Sequence, residues 1–247
     1  MIVTDPPEVL PCNYWNRLDN DNGHIPWVHR ATALREGWSH YTILRREHVR
    51  ETEYGYLVRM GAGAGEERAA LGLREYSHFF MPNAFMFWQK TRARGYEKSD
   101  LWDTKITFTV PVNDTHYVGF DVTSTPIEGE AGAAYQAAKY KQLESDAVER
   151  WDLADAVLAG DMRIEDLPSE LGPATCFMVE DYVTQVGQGR IAGRGREHLG
   201  TVDAKPVLLR RMWLRDVAAL IDGRPTTNWV VPAAPLRGVR HPDGEET

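Results

Sequence analysis

The sequence predicts an α+β domain: an antiparallel sheet is laid down first, and helices pack on it afterwards. Two observations carry this. Apolar residues alternate with polar ones from about Ser39 to Thr125, and the spacing then changes to three and four residues. At 247 residues, 43% of them hydrophobic, the chain is long enough to enclose one full core.

Taken in order, Met1 to Pro11 reads as an extended leader, because Pro6 and Pro7 cannot open the interior of a sheet. Asn13 to Arg35 reads as helical but interrupted, since Pro26 lacks an amide proton and clashes with the preceding turn. Tyr54 to Met60 and Arg74 to Trp88 are rich in aromatic residues and add strands. The clearest alternation is Ile106, Phe108, Val110 and Val112 against Lys105, Thr107 and Thr109. It resumes at Val118, Phe120 and Val122 after the turn at Asn113-Asp114, which makes a hairpin. Helices follow. One carries Ala147, Trp151, Ala154 and Leu158 on a single face, and a second runs from Ala174 to Val186 with Gly187 as its stop. A third runs from Val207 to Ile221, with Leu214, Val217 and Ile221 as its stripe and Gly223-Arg224-Pro225 beyond it. One domain over 1–231 and a loose Pro/Gly-rich tail over 232–247 are expected.

Composition excludes several classes. A net charge of -8 with dispersed arginines argues against a general grip on nucleic acid. No apolar run approaches the roughly 18 residues of a membrane span, and the N-terminus is not expected to act as a signal peptide. The two cysteines, Cys12 and Cys176, rule out a disulfide scaffold and fit a reducing cytoplasm.

Chemistry is concentrated in two segments. In Asp21-Asn22-Gly23-His24-Ile25-Pro26-Trp27-Val28-His29, the two imidazoles would point about 140° apart on a straight helix. A break at Pro26 lets both turn toward one ion, although each also fits a satisfied surface or core histidine. Downstream, Glu180 and Asp181 are adjacent carboxylates inside an otherwise apolar run. Neighbours on a helix differ by about 100°, so Glu180 is expected on a solvated face and Asp181 facing inward. Phe79, Phe80, Phe85, Phe87 and Trp88 fit either core packing or the wall of a substrate cavity. The glycines over 61–65 fit a flexible connection better than a nucleotide loop.

The pattern Asp-x-x-His-x-x-x-x-His, preceded by Pro11-Cys12-Asn13-Tyr14-Trp15-Asn16-Arg17-Leu18-Asp19-Asn20, resembles the catalytic domain of Rieske non-haem iron aromatic-ring oxygenases, in their phthalate-dioxygenase-like branch. The block from Glu180-Asp181 to Gln188-Gly189, followed by Arg194, Glu197-His198-Leu199-Gly200, Asp203 and Leu208-Leu209-Arg210-Arg211, is similar to that branch's C-terminal block. The resemblance implies a helix-grip domain. It implies Fe(II) held by His24, His29 and Asp181 as a facial triad, with Asp21 as the aspartate that bridges toward a neighbouring subunit's Rieske cluster. It also implies O2, a reductase, a small aromatic or apolar substrate and an assembly of three.

Two departures qualify it. The Cys-x-His and Cys-x-x-His motifs of the [2Fe–2S] domain are missing, so the Rieske cluster is expected from a partner chain or from an N-terminal domain lost through truncation or an internal start. Asp19 stands where related sequences often carry glutamate. The expected activity is hydroxylation, cis-dihydroxylation or oxidative demethylation of an aromatic or similar organic substrate. The rival readings are a metal-free helix-grip module binding an apolar ligand, and a zinc hydrolase using the same three ligands.

Overall fold

The computed structural model describes residues 2–5, 7–20, 28–37, 47–60, 73–91, 101–146, 150–233 and 236. Its strands are β1 (Ile2–Thr4), β2 (Glu8–Leu10), β3 (Glu47–Glu51), β4 (Gly55–Met60), β5 (Leu73–Phe80), β6 (Ala84–Lys90), β7 (Trp102–Asn113) and β8 (His116–Ser124). Its helices are α1 (Tyr14–Asn20), α2 (Arg30–Arg35), α3 (Gly129–Asp146), α4 (Arg150–Ala159), α5 (Pro173–Val186) and α6 (Ala204–Ile221). The fold is α+β. One eight-stranded sheet is ordered β1-β8-β7-β6-β5-β4-β3, with β2 also paired to β8, and every pairing is antiparallel.

The leader expected at the N-terminus is instead part of the sheet. Ile2–Thr4 and Glu8–Leu10 pair with β8, and Pro7, just before the second of them, lies outside the ladder where a missing N–H breaks no pairing. Gly55 begins β4 at a close approach of two chains. A Cβ there would lie 2.1 Å from the Phe79 carbonyl oxygen, and its φ of +149° also favours glycine.

The period of two over β7 and β8 is present, but its sense is reversed. Asp103, Thr107 and Thr109 face inward, while Phe108 and Phe120 are exposed. The reason is what lies under this part of the sheet: a cavity with charged side chains in its wall, described below. The apolar core sits further along, where Tyr56, Val58 and Phe79 meet Leu18, Cys176, Val179, Leu209 and Met212. Phe79 stacks on Tyr56 with ring centroids 5.0 Å apart, so it is a core residue.

The C-terminal helix is corrected in the same way. The stripe Leu214, Val217 and Ile221 is outward-facing, Ile221 at 80% exposure. The buried stripe is Lys205, Leu209, Met212, Asp216 and Ala219, at spacings of four and three. Asp216 tolerates burial because the returning chain satisfies it. Thr227 donates its N–H and hydroxyl to Oδ1 (3.0 and 2.7 Å), and the Trp229 indole donates to Oδ2 (2.8 Å). The helix ends as expected, with Gly223 in the left-handed region and Arg224 N–H donating to the Ala219 carbonyl. Helix α1 is fixed between sheet and helices by Tyr14, Trp15 and Trp213, whose rings meet edge to face within 6.0 Å. Among the described residues, no helix is long and apolar enough to cross a membrane.

Candidate metal centre

Helix α5 packs against α1, α2 and α4, and it brings its two carboxylates to the start of α2. Its inner arc is Cys176, Val179, Glu180 and Gln185, all buried. Glu180 therefore lies inside and not on a solvated face, which corrects the expectation for it. Residues 176, 180 and 183 follow the four-then-three spacing of a single face, and the charge at 180 concealed that pattern.

A buried carboxylate needs donors, and Glu180 has three. Thr32 gives its backbone N–H to Oε1 (2.9 Å) and its hydroxyl to Oε2 (2.7 Å), while His29 Nδ1 lies 3.2 Å from Oε2. A carboxylate only accepts, so this contact places the ring proton on Nδ1. The other nitrogen, Nε2, lies 3.3 Å from Asp181 Oδ1, where it donates if the ring is doubly protonated and offers a lone pair if the ring is neutral. Phe177 packs on the imidazole at 4.2 Å between centroids. Asp181 is itself turned by Asn20, whose amide donates to the same Oδ1 at 2.7 Å.

With the ring neutral, the Nε2 lone pair and the carboxylate oxygen repel, and either a proton on Nε2 or a metal cation beside both atoms relieves this. With ligand bonds of about 2.1 Å, two ligands at right angles on one ion lie about 3 Å apart. The pair therefore fits the edge of a metal centre, and Glu180 behind the imidazole has the position of the carboxylate that orients metal-ligating histidines. His29 and Asp181 are brought together. His24 and Asp21 lie outside the described residues, and among the described residues no group of three His, Cys, Asp or Glu side chains forms a site by itself. Glu180, Asn20 and Thr32 were missed by sequence reasoning. The only signal for them was the cost of a charge inside an apolar run. The cysteines are not available as thiolates: burial pushes the Cys12 thiol up to about 11 and that of Cys176 upward as well.

The C-terminal block singled out in the sequence does different work. Arg194 pairs with both Asp19 and Glu197, and Arg210 pairs with Asp19 (2.7 Å) and Glu197 (2.6 Å). These four charges tie the end of α1 to α6. Burial alone would raise the Glu197 carboxyl, but hydrogen bonds from Arg210 and Arg194 outweigh it and hold the group below the usual range.

A cavity of about 210 Å³ opens beside Asp181, between α1, α4, α5 and the inner face of β7 and β8. Charged side chains of both signs stand in its wall among a larger apolar surface, and none of the five aromatic residues considered for it contributes.

No protein-family model matches the sequence, and neither does any curated protein. Solved structures do. NdmA of Pseudomonas putida CBB5 is similar over 90% of this chain and 51% of its own, at 11% identity and a TM-score of 0.53. NdmB of the same organism is similar over 90% of this chain and 52% of its own, at 10% identity and a TM-score of 0.53. These neighbours are Rieske non-haem iron oxygenases, and what the chain shares with them is the fold. The chain spans about half the length of those structures.

Proposed function

We propose that this chain is the catalytic part of an oxygenase in which His24, His29 and Asp181 hold one Fe(II), and that it hydroxylates or oxidatively demethylates a small organic substrate. One observation carries the reading: the His29 ring, held from behind by Glu180, directs Nε2 toward Asp181 Oδ1 at 3.3 Å. The fold it shares with Rieske non-haem iron oxygenases supports it. So does the order of the two sequence blocks.

A bound ferrous ion would supply the activation of O2. The chain's own residues prepare for it. Glu180 keeps the proton on Nδ1 and so leaves Nε2 free to coordinate. Asn20 fixes the rotation of the Asp181 carboxylate, and the cavity along Asp181 brings a substrate within reach of that centre. Asp21, three residues before His24, is proposed to carry the link toward a Rieske [2Fe–2S] centre. That centre would lie in a partner chain or a further domain, supplied by a reductase, in an assembly of three. The chain spans about half the length of the similar structures.

The test is anaerobic loading with Fe(II) and measurement of iron per chain. Stoichiometric iron in the wild type, lost in His29→Ala and in Asp181→Ala, is the expected result. Equal loading by both variants would sink the assignment. A protein that never takes up iron yet binds ligands in the cavity would be a binding module instead.

A further inference from the structure

The two faces of β7 and β8 divide their residues by charge. Asp103, Lys105 and Asp121 all take the inner side. On the outer side Ile106 stands directly opposite Val122, Phe108 opposite Phe120 and Val110 opposite Val118, so three apolar pairs follow one another along the hairpin. Val9 extends this surface onto β2, opposite Val118, and Val112 extends it along β7. No charged residue occupies an outer position between Thr104 and Val112 or between Val118 and Val122.

An antiparallel sheet with one face in water turns its apolar side inward and its polar side out. Here the polar side is enclosed and the apolar side is open. Val9 is 61% exposed and Val112 54%, and the rings of Phe108 and Phe120 are exposed between them. Three strands about 4.8 Å apart, over residue steps of about 3.4 Å from Thr104 to Val112, give a flat area on the order of 400 Å². The relief of the side chains adds to it. Two such faces together reach about 1,000 Å², the lower bound of a specific interface and the range of a weak, concentration-dependent one.

We propose that this outer face docks on the same face of a second copy of the chain, about a two-fold axis beside the Phe108–Phe120 pair. The two sheets then stack about 10 Å apart, as the layers of a β-sandwich do. Charge selects the occupant. A face that meets itself doubles whatever charge it carries, and this one carries none. Aromatic residues without charged ones are also the composition of an interface core. The other exposed apolar strip, Leu214, Val217 and Ile221 on α6, is bordered by Arg211 and Arg215. Docked on its own copy, it would gather those guanidinium groups from both chains, and like charges brought together oppose the contact. The pairing goes beyond the proposed oxygenase reading and does not rest on it, because the cavity lies on the other side of the sheet.

Sedimentation of the full chain from low to high micromolar concentration tests this. The mass of the smallest species should double as concentration rises. Phe120→Glu should weaken the doubling at least tenfold, since it sets a carboxylate from each copy into an apolar contact. Val112→Lys is the second variant, and an unchanged urea midpoint shows that each still folds. An equimolar mixture of Phe120→Glu and Phe120→Lys chains should pair again, as only a face that meets itself allows. Leu214→Glu should leave the doubling intact. A chain that never doubles, doubling that survives both outer-face variants, or no recovery in the mixture overturns the proposal. Equal loss in Leu214→Glu would assign a head-to-tail contact between sheet and α6, and a single chain that binds a hydrophobic dye at Phe120 would leave the face to a different partner. Either result also overturns it. Iron loading of the same samples keeps the two readings apart: doubling without iron preserves the pairing and removes the oxygenase reading, and iron in a chain that never doubles does the reverse.

Discussion

The last two residues of α1 serve two polar clusters of different kinds. Asp19 enters the four-charge clamp with Arg194, Glu197 and Arg210, where two carboxylates meet two guanidinium groups. Asn20 enters the His29–Glu180–Asp181 group, where one imidazole stands between two carboxylates. The clamp is balanced by its own members, so its effect is mechanical. The other cluster sets two carboxylates against one titratable ring and so has capacity for a further cation, which is how the proposed binding centre differs from a brace of similar composition.

That contrast can be broken most severely at Glu180. Glu180→Gln should weaken Fe(II) binding about 10- to 100-fold, measured by competition with a chelator, because the amide no longer fixes the proton on Nδ1. Glu180→Leu should also cost about 2–3 kcal/mol in urea unfolding, since it strands the Thr32 donors. Unchanged iron affinity in both variants would erase the distinction between the clusters.

Asp216→Ala comes next. It should destabilise by about 2 kcal/mol, because Thr227 and Trp229 lose a shared acceptor, with iron affinity unaffected. Arg210→Ala in the clamp should cost about 1 kcal/mol and leave iron affinity within a factor of two. A large drop in iron binding there would show that the clamp and the proposed metal centre are one unit.

The clamp also makes a pH prediction. Glu197 is held below its ordinary value of 4.5 in the fold, so its contribution is complete above that value and is lost as pH falls through the lower, folded one. The urea midpoint of the wild type should fall more steeply below pH 4.5 than that of Glu197→Gln. The smallest effect is expected at Leu214→Ser on the outer face of α6, within about 0.5 kcal/mol.

Much of the architecture was legible, and the failures have a common cause. Strand and helix positions followed from periodicity: β7, β8, α5 and α6 lie where spacing put them. What periodicity does not encode is which side of an element faces inward when the interior is itself polar. Lys105 and Thr107 alternate with apolar neighbours and so read as the outer face of an apolar interior, whereas here that side, with Asp121 beside it, lines the cavity. Lys205 and Asp216 misdirected the reading of α6 in the same way, since each is a charge on the buried stripe. At the candidate centre, His29 and Asp181 followed from the motif resemblance, and the structure sets them side by side. Glu180 did not follow, because its three donors come from residues about 150 positions away and exist only in the folded chain.

Glu180 and Asp181 occupy consecutive positions on one rigid rod, aimed about a quarter-turn apart, so a single helix grips the imidazole from behind and meets it from the front. The two separations cannot be adjusted independently. Deleting one residue between Cys176 and Val179 would swing both carboxylates through about 100° at once, whereas lengthening the loop beyond Gly187 would disturb neither. Insertions and deletions should therefore be tolerated after this helix and excluded from its first half, a constraint imposed by screw symmetry alone.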